Sequence, residues 1–226
     1  MSESPSFGAI KDGEYRLRDV PISQLMREQD LVSVLCLTWV GRLPTATEKL
    51  LVNACLVASI DHGIEPPSAH VTRRIASCGK PVADAVAAGL LALGPRQGKA
   101  ATAAAVWIQD AVKAGRSPQE VVEEASTSKK RLSGIGHPEY KIDPRTMTIA
   151  DLAKQHLSSH THLDLALEVS RLMTERKGSS LPLNVDGAIG ALMLDLGFPT
   201  PMADALFLVA RSVGLVAHAW EEMEAT

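Results

Sequence analysis

Arg211 stands in the middle of ALFLVARSVGLVAHAW (205–220), a stretch apolar nearly all round and therefore expected to form a buried helix. A guanidinium there cannot lose its proton, so burial demands a carboxylate or phosphate of matching fork geometry. An acid of this chain or a ligand would serve equally. Asp186, in LPLNVDG (181–187), precedes a second apolar run. It reads either as a helix N-cap or as a carboxylate whose proton affinity is raised by an apolar setting, which suits general base work. His137 lies between Gly134-Ile135-Gly136 and Pro138, on extended backbone beside a loop without side-chain bulk, where backbone amides are available to an anion. His62, in Asp61-His62-Gly63, reads as a site residue or as a complement to a helix C-terminal dipole. His156, His160 and His162 lack a carboxylate or thiolate at ligand spacing, so no metal is expected.

These residues must be positioned by helices. Of 226 residues, 30 are Ala and 27 Leu, while aromatics make up 4%, a composition that suits helices and argues against a β-sandwich or barrel. Asp30 opens a helix that closes near Val40. Thr45-Ala46-Thr47-Glu48 and Ser117-Pro118-Gln119-Glu120 have capping-box spacing. Small-residue patterns predict helices over 81–93 and 100–113, separated by Gly94-Pro95-Arg96-Gln97-Gly98. Further helices are expected over 148–156, 163–177, from Asp186 to Leu196, and from Thr200-Pro201 to about Met223. Residues 126–145, STSKKRLSGIGHPEYKIDPR, form a basic, glycine-containing loop. The expected fold is all-α and many-helix, one compact domain over 1–226 with an extended N-terminal arm over 1–20 and a helical core over 21–226.

Composition also bounds the setting. Unbroken apolar stretches such as 85–93 fall short of the ~18 residues of a membrane span. The start, MSESPSFGAI, has no cationic n-region. Cys36, Cys55 and Cys78 show no CxxC spacing and read as reduced core thiols, pointing to the cytoplasm. With 23 basic against 26 acidic residues and no basic block, neither nucleic acid nor an anionic membrane is an expected partner.

Four segments occur in an order that resembles the citrate synthase family: Asp61-His62-Gly63 with Pro67-Ser68-Ala69-His70; Gly-Pro-Arg-Gln-Gly at 94–98; Gly-Ile-Gly-His-Pro at 134–138 followed by Asp143-Pro144-Arg145; and Leu-Asn-Val-Asp-Gly-Ala-Ile-Gly at 183–190 with Arg211 downstream. In length the chain is similar to the short citryl-CoA lyases and to the C-terminal lyase module of ATP-citrate lyase. The resemblance implies an all-α, homodimeric fold with the active site between helices. It makes His137 the histidine that exchanges a proton with the substrate hydroxyl or carbonyl oxygen, and Asp186 the carboxylate that exchanges one with the acetyl carbon. His62, Arg145 and Arg211 would hold substrate carboxylates, and Gly134, Ile135 and Gly136 would lie against the CoA nucleotide with Lys141 on a phosphate.

Two departures from the family pattern stand out. Gln97 replaces a family histidine that hydrogen-bonds the thioester oxygen as it becomes an enolate, a histidine that the ATP-citrate lyase module also lacks, and the resemblance implies that the Gln97 amide stabilises that enolate instead. The chain stops at Thr226, where family members continue to a further arginine, so the acid it accepts is expected to differ or to bind more weakly. The implied activity is cleavage of citryl-CoA, or a related hydroxyacyl-CoA, to acetyl-CoA and oxaloacetate. The alternatives are a reduced citrate or 2-methylcitrate synthase and a silent CoA- or dicarboxylate-binding paralogue. A CoA thioester is expected as substrate, with no tightly bound cofactor.

Overall fold

In the computed structural model, which describes residues 7–94 and 100–225, the chain groups into two compact units, 1–53 and 54–226. The first begins with three short strands, β1 (Gly8–Lys11), β2 (Glu14–Leu17) and β3 (Val20–Pro21), paired antiparallel in that order with Ile10 opposite Tyr15. From Gly8 onward the arm expected over 1–20 is thus a small sheet. Its turns fall at Asp12-Gly13 and Arg18-Asp19, all four residues at positive φ, the conformation that tight hairpins require. Strands of two to four residues are too short for alternation to show in the sequence.

Helices follow. α1 (Ile22–Glu28) leads to α2 (Leu31–Val40), where the Asp30 carboxylate accepts from the Ser33 N–H at 2.8 Å and Gly41 closes the helix at φ 79°. α3 (Ala46–Ser59) opens on the expected capping box, Thr45 and Glu48 each accepting the other's backbone N–H, and runs across the boundary between the units.

The second unit holds α4 (Pro67–Ala76), α5 (Val82–Leu91), α6 (Ala100–Lys113), α7 (Pro118–Thr127), α8 (Pro144–His156), α9 (Thr161–Lys177), α10 (Val185–Asp195) and α11 (Met202–Glu224). α4 has no apolar run to announce it; a proline at its first position starts it. α7 opens on the expected Ser117 capping box. α8 begins four residues earlier than its apolar pattern, because Asp143 caps it and Pro144 occupies the first turn.

α10 is the hub of this unit. Nearly every residue from Val185 to Leu194 is buried, and the helix packs on α6, α8, α9 and α11. Its approach to α6 is so close that a Cβ on Gly190 would lie 2.6 Å from the Ala101 carbonyl oxygen. Only small residues allow this, which accounts for the alanine-rich face of α6, where Ala101, Ala104, Ala105 and Ala111 are all buried.

α11 carries more apolar character than any unbroken run suggested. By length and composition its 23 residues suffice to cross a bilayer, with mean hydropathy 1.4 over the most apolar window, since Arg211 and His218 interrupt the run without lowering the mean much. Half of that window is buried within the protein. Ala203, Leu206, Phe207, Ala210, Arg211, Gly214, Leu215, His218 and Ala219 form the buried face, as in a core helix, while Leu208, Val213, Val216 and Trp220 are exposed on the other.

Candidate active site

The loop before His137 is clasped to the segment that starts α10. The Gly134 carbonyl accepts from the Asn184 N–H at 2.9 Å, the Gly136 N–H donates to the Pro182 carbonyl at 2.7 Å, and the Asn184 side-chain amide donates to the Gly136 carbonyl at 2.9 Å. Gly134, at φ +83°, lies against Gly187, and a Cβ on it would meet the Gly187 Cα at 2.5 Å. The expectation that this loop offers its amides to an anion is therefore corrected. The Ile135 and Gly136 N–H groups are spent on Leu132 and Pro182, and Gly134 is a buried packing residue.

This clasp sets His137 beside α10. Its Nδ1 accepts from two backbone donors, the N–H groups of Glu139 at 3.1 Å and Tyr140 at 3.0 Å. Two donors on one nitrogen fix the neutral ring as the Nε2–H tautomer, so the remaining nitrogen carries the proton. Burial pushes the His137 pKa below the usual histidine value, with Asp143 opposing the shift and His62 and Arg145 adding to it. The His62 ring stands perpendicular to that of His137 at 5.4 Å, and the Tyr140 ring lies 4.6 Å away on the way to the Arg145 guanidinium.

Asp186 is not the cap of α10. Asn184 holds that place, accepting from the Gly187 N–H, and Asp186 falls in the first turn with its Oδ1 out of reach of solvent and without a hydrogen-bond partner among the described residues. Burial pushes its pKa up to about 6; Arg145 and Arg211 work against that shift, and Asp204 and Asp143 reinforce it.

Arg211 is buried, at 3% exposure. Its Nε donates to the Ser59 carbonyl at 3.3 Å and its Cζ lies 5.0 Å from the Phe207 ring centroid, while Nη1 is buried without a partner. Among the described residues no carboxylate forms an ion pair with it, an internal acid being one of the two partners that the sequence left open. Burial lowers its proton affinity, opposed by the charges of Asp61 and Asp186. Asp61, two residues beyond α3 and adjacent to His62, accepts from the Gly63 N–H at 2.9 Å and pairs with His218 Nε2 of α11 at 2.8 Å. Burial alone would raise the Asp61 pKa, but those contacts hold it below the usual carboxylate value.

A cavity of about 640 Å³ opens beside His137, lined among others by Ile135, Gly136, Lys130, Arg131 and Lys177. Residues 47–226 match the family described as citrate synthase, C-terminal domain. The chain belongs to the citrate synthase family. It is 37% identical over 222 residues to a probable ATP-citrate synthase of Dictyostelium discoideum, covering 90% of this chain and 35% of that protein. The chain thus spans about a third of the length of that relative. Among solved structures, citryl-CoA lyase from Hydrogenobacter thermophilus superposes with a TM-score of 0.92 at 36% identity, over 99% of this chain and 88% of that one. ATP citrate lyase from Methanothrix soehngenii, in complex with citrate and coenzyme A, gives 0.92 at 26% identity over 100% of this chain and 39% of that one.

Of the positions that the citrate synthase resemblance singles out, five come together: His62, His137, Arg145, Asp186 and Arg211. Gln97 lies outside the described residues. Lys141 faces a neighbouring cavity of about 420 Å³ rather than the one beside His137, its carbonyl held by the Ser180 hydroxyl. Lys130, Arg131 and Lys177 supply the cations there instead. The first two were visible in the basic run of the 126–145 loop; Lys177, at the end of α9, gave no signal. His162, considered for a metal, is paired with Asp195 at 2.8 Å, and the Asp195 carboxylate also receives the His162 and Leu163 N–H groups at the start of α9.

Proposed function

We propose that the protein cleaves citryl-CoA, or a closely related hydroxyacyl-CoA, to acetyl-CoA and oxaloacetate. The observation that carries this reading is the pair of unsatisfied buried groups, the Arg211 Nη1 and the Asp186 Oδ1, in one cluster with Arg145 and two histidines. An unpaired buried guanidinium is costly unless a ligand carboxylate completes it, and a buried carboxyl with a pKa of about 6 is suited to giving a proton to carbon. Arg145 and Arg211 hold the carboxylates of the acid. His137, through Nε2, hydrogen-bonds the oxygen that is a hydroxyl in citryl-CoA and a carbonyl in oxaloacetate. The hydroxyl proton passes along that bond to Nε2 of a ring that has first given up its own proton, and the two amide donors on Nδ1 stabilise that anionic ring. The electron pair of the broken carbon–carbon bond passes to the thioester as an enolate, and protonated Asp186 delivers a proton to its carbon. Solved relatives hold citrate and coenzyme A, or are named for citryl-CoA cleavage, which supports the same substrate class.

Purified protein incubated with citryl-CoA is expected to release oxaloacetate, and no turnover by folded protein overturns the reading. Since cleavage uses Asp186 protonated, its rate falls as pH rises through about 6, while condensation, which uses the carboxylate, falls as pH drops through the same value. The basic cavity beside His137 takes the nucleotide end of the thioester. Lys177→Glu in the same assay is expected to raise KM for citryl-CoA about tenfold with little change in kcat, because a cation on a phosphate outside the reacting centre binds ground state and transition state alike.

The working unit we infer is a homodimer, supported by the exposed apolar residues Val213, Val216 and Trp220 on α11 and Leu91 at the end of α5. Sedimentation velocity checks this, the expected mass being twice the 24.1 kDa of one chain. A cytoplasmic location fits the three free cysteines.

A further inference from the structure

One buried carboxylate joins the two helices that carry the proposed chemistry. The Asp143 side chain is 0% exposed. Its Oδ1 accepts from the Arg145 N–H at 3.0 Å and from Arg145 Nε at 3.0 Å; its Oδ2 accepts from Arg145 Nη2 at 2.8 Å and from the Val185 N–H at 3.1 Å. Arg145 is the second residue of α8 and Asp186 the second residue of α10. The same carboxylate therefore caps α8, binds the first N–H of α10, and grips one edge of the Arg145 guanidinium. The other edge, with Nη1, has no hydrogen-bond partner among the described residues. Arg145 and Asp186 are close enough to influence each other, yet they form no ion pair.

We infer that Asp143 is the positioning residue of this site, tethering Arg145 by one edge so that it presents its Nη1 side to a substrate carboxylate and does not close onto Asp186 as an internal ion pair. The inference rests on the lyase reading for the roles of Arg145 and Asp186, but the tether itself is a matter of geometry. Without it, a flexible cation beside an unpartnered carboxylate collapses into a salt bridge, which consumes the cation for the substrate and holds the acid ionised. The groups facing Asp186 are Arg145 of α8, Asp143 before it, and Arg211 and Asp204 of α11. On α6, Asp110 and Lys113 are exposed, and on α9 Arg171 pairs at the surface with Glu168 and Glu175.

The test is a carboxyl-carbon NMR titration of Asp186 in the protein without substrate. In Asp143→Asn, loss of the tether and of its charge is expected to lower the Asp186 midpoint by at least about half a pH unit. Combining Asp143→Asn with Arg145→Gln returns the midpoint to the wild-type value or above it. The Asp143 charge alone accounts for part of any fall, so the fall is compared with the one the same substitution gives in the Arg145→Gln background; a fall no larger than that, or a midpoint that stays low in the double variant, overturns the inference. If Asp143→Asn does not fold, Arg145→Gln alone decides, since removal of the restrained cation must raise the midpoint and no rise overturns the proposal. Citryl-CoA cleavage by the wild-type protein is measured alongside. A shifted midpoint without wild-type cleavage leaves the tether standing and removes the lyase reading.

Discussion

Asp186→Asn is expected to slow citryl-CoA cleavage by about a thousandfold, within the range that a positioned general acid contributes. The replacement keeps the shape of the side chain and removes only the transferable proton. No hydrogen bond of the described structure depends on the carboxylate, because Asn184 and not Asp186 caps α10. Stability should therefore hold or rise, since the group being removed is one whose charged form burial disfavours. The loss should fall on kcat while binding of the thioester survives. Exchange of acetyl-CoA methyl protons with deuterated water gives an independent readout, and the variant should lose it together with cleavage. A variant that retains a tenth or more of the wild-type rate, or that exchanges normally, removes Asp186 from proton transfer and leaves it as a structural carboxyl.

What the sequence shows of this arrangement divides along physical lines. Helices whose ends carry local chemistry were legible: Asp30, Thr45 with Glu48, and Ser117 with Glu120 each cap as their spacing requires, and the small-residue run over 100–113 is α6 to the residue. α4 and the three-stranded arm escaped, the first because its buried face is Ser68, Ala69, Thr72 and Ala76, too small and polar to form an apolar pattern, the second because its strands are too short to establish a period. Site residues were legible by type but not by partner. Asp186 beside an apolar run looks like a cap until Asn184 is seen to hold that role. The glycines at 134 and 136 suggest an anion loop until their own pairing with 182–184 is seen. Such pairings join residues some fifty positions apart, as the Asn184 to Gly136 bond does, and local pattern carries no trace of them. Asp143 shows the same limit from the other side. It is visible as the start of an Asp-Pro-Arg motif, but its reach to the Val185 N–H exists only in the fold.

Arg211→Met is expected to move stability and binding in opposite directions. If the guanidinium were paired with an acid of this chain, its removal would strand that acid and cost about 3–5 kcal/mol. No such pair exists among the described residues; the substitution removes the bond to the Ser59 carbonyl and the stacking on Phe207. Leaving that carbonyl without its donor costs about 1–3 kcal/mol. Relief of an unpaired charge held at 3% exposure, with Nη1 unpartnered, is expected to exceed this. The melting temperature of the ligand-free variant should therefore rise, by roughly 2–4 °C for each kcal/mol of net gain in a chain of this size. Oxaloacetate should reverse the ranking. At about a hundred times its Kd a ligand adds about 2.7 kcal/mol to the wild-type fold and nothing to a variant that does not bind it. Calorimetry of the variant with oxaloacetate should accordingly show no binding heat, and the order of the two melting curves should invert as ligand is added. A variant that is less stable without ligand makes Arg211 a structural cation, while one that is more stable yet still binds oxaloacetate assigns the carboxylate to Arg145 alone. Only a cation held at a cost in the empty site and compensated by substrate gives the inversion, which makes it a more direct test of this pocket than loss of activity.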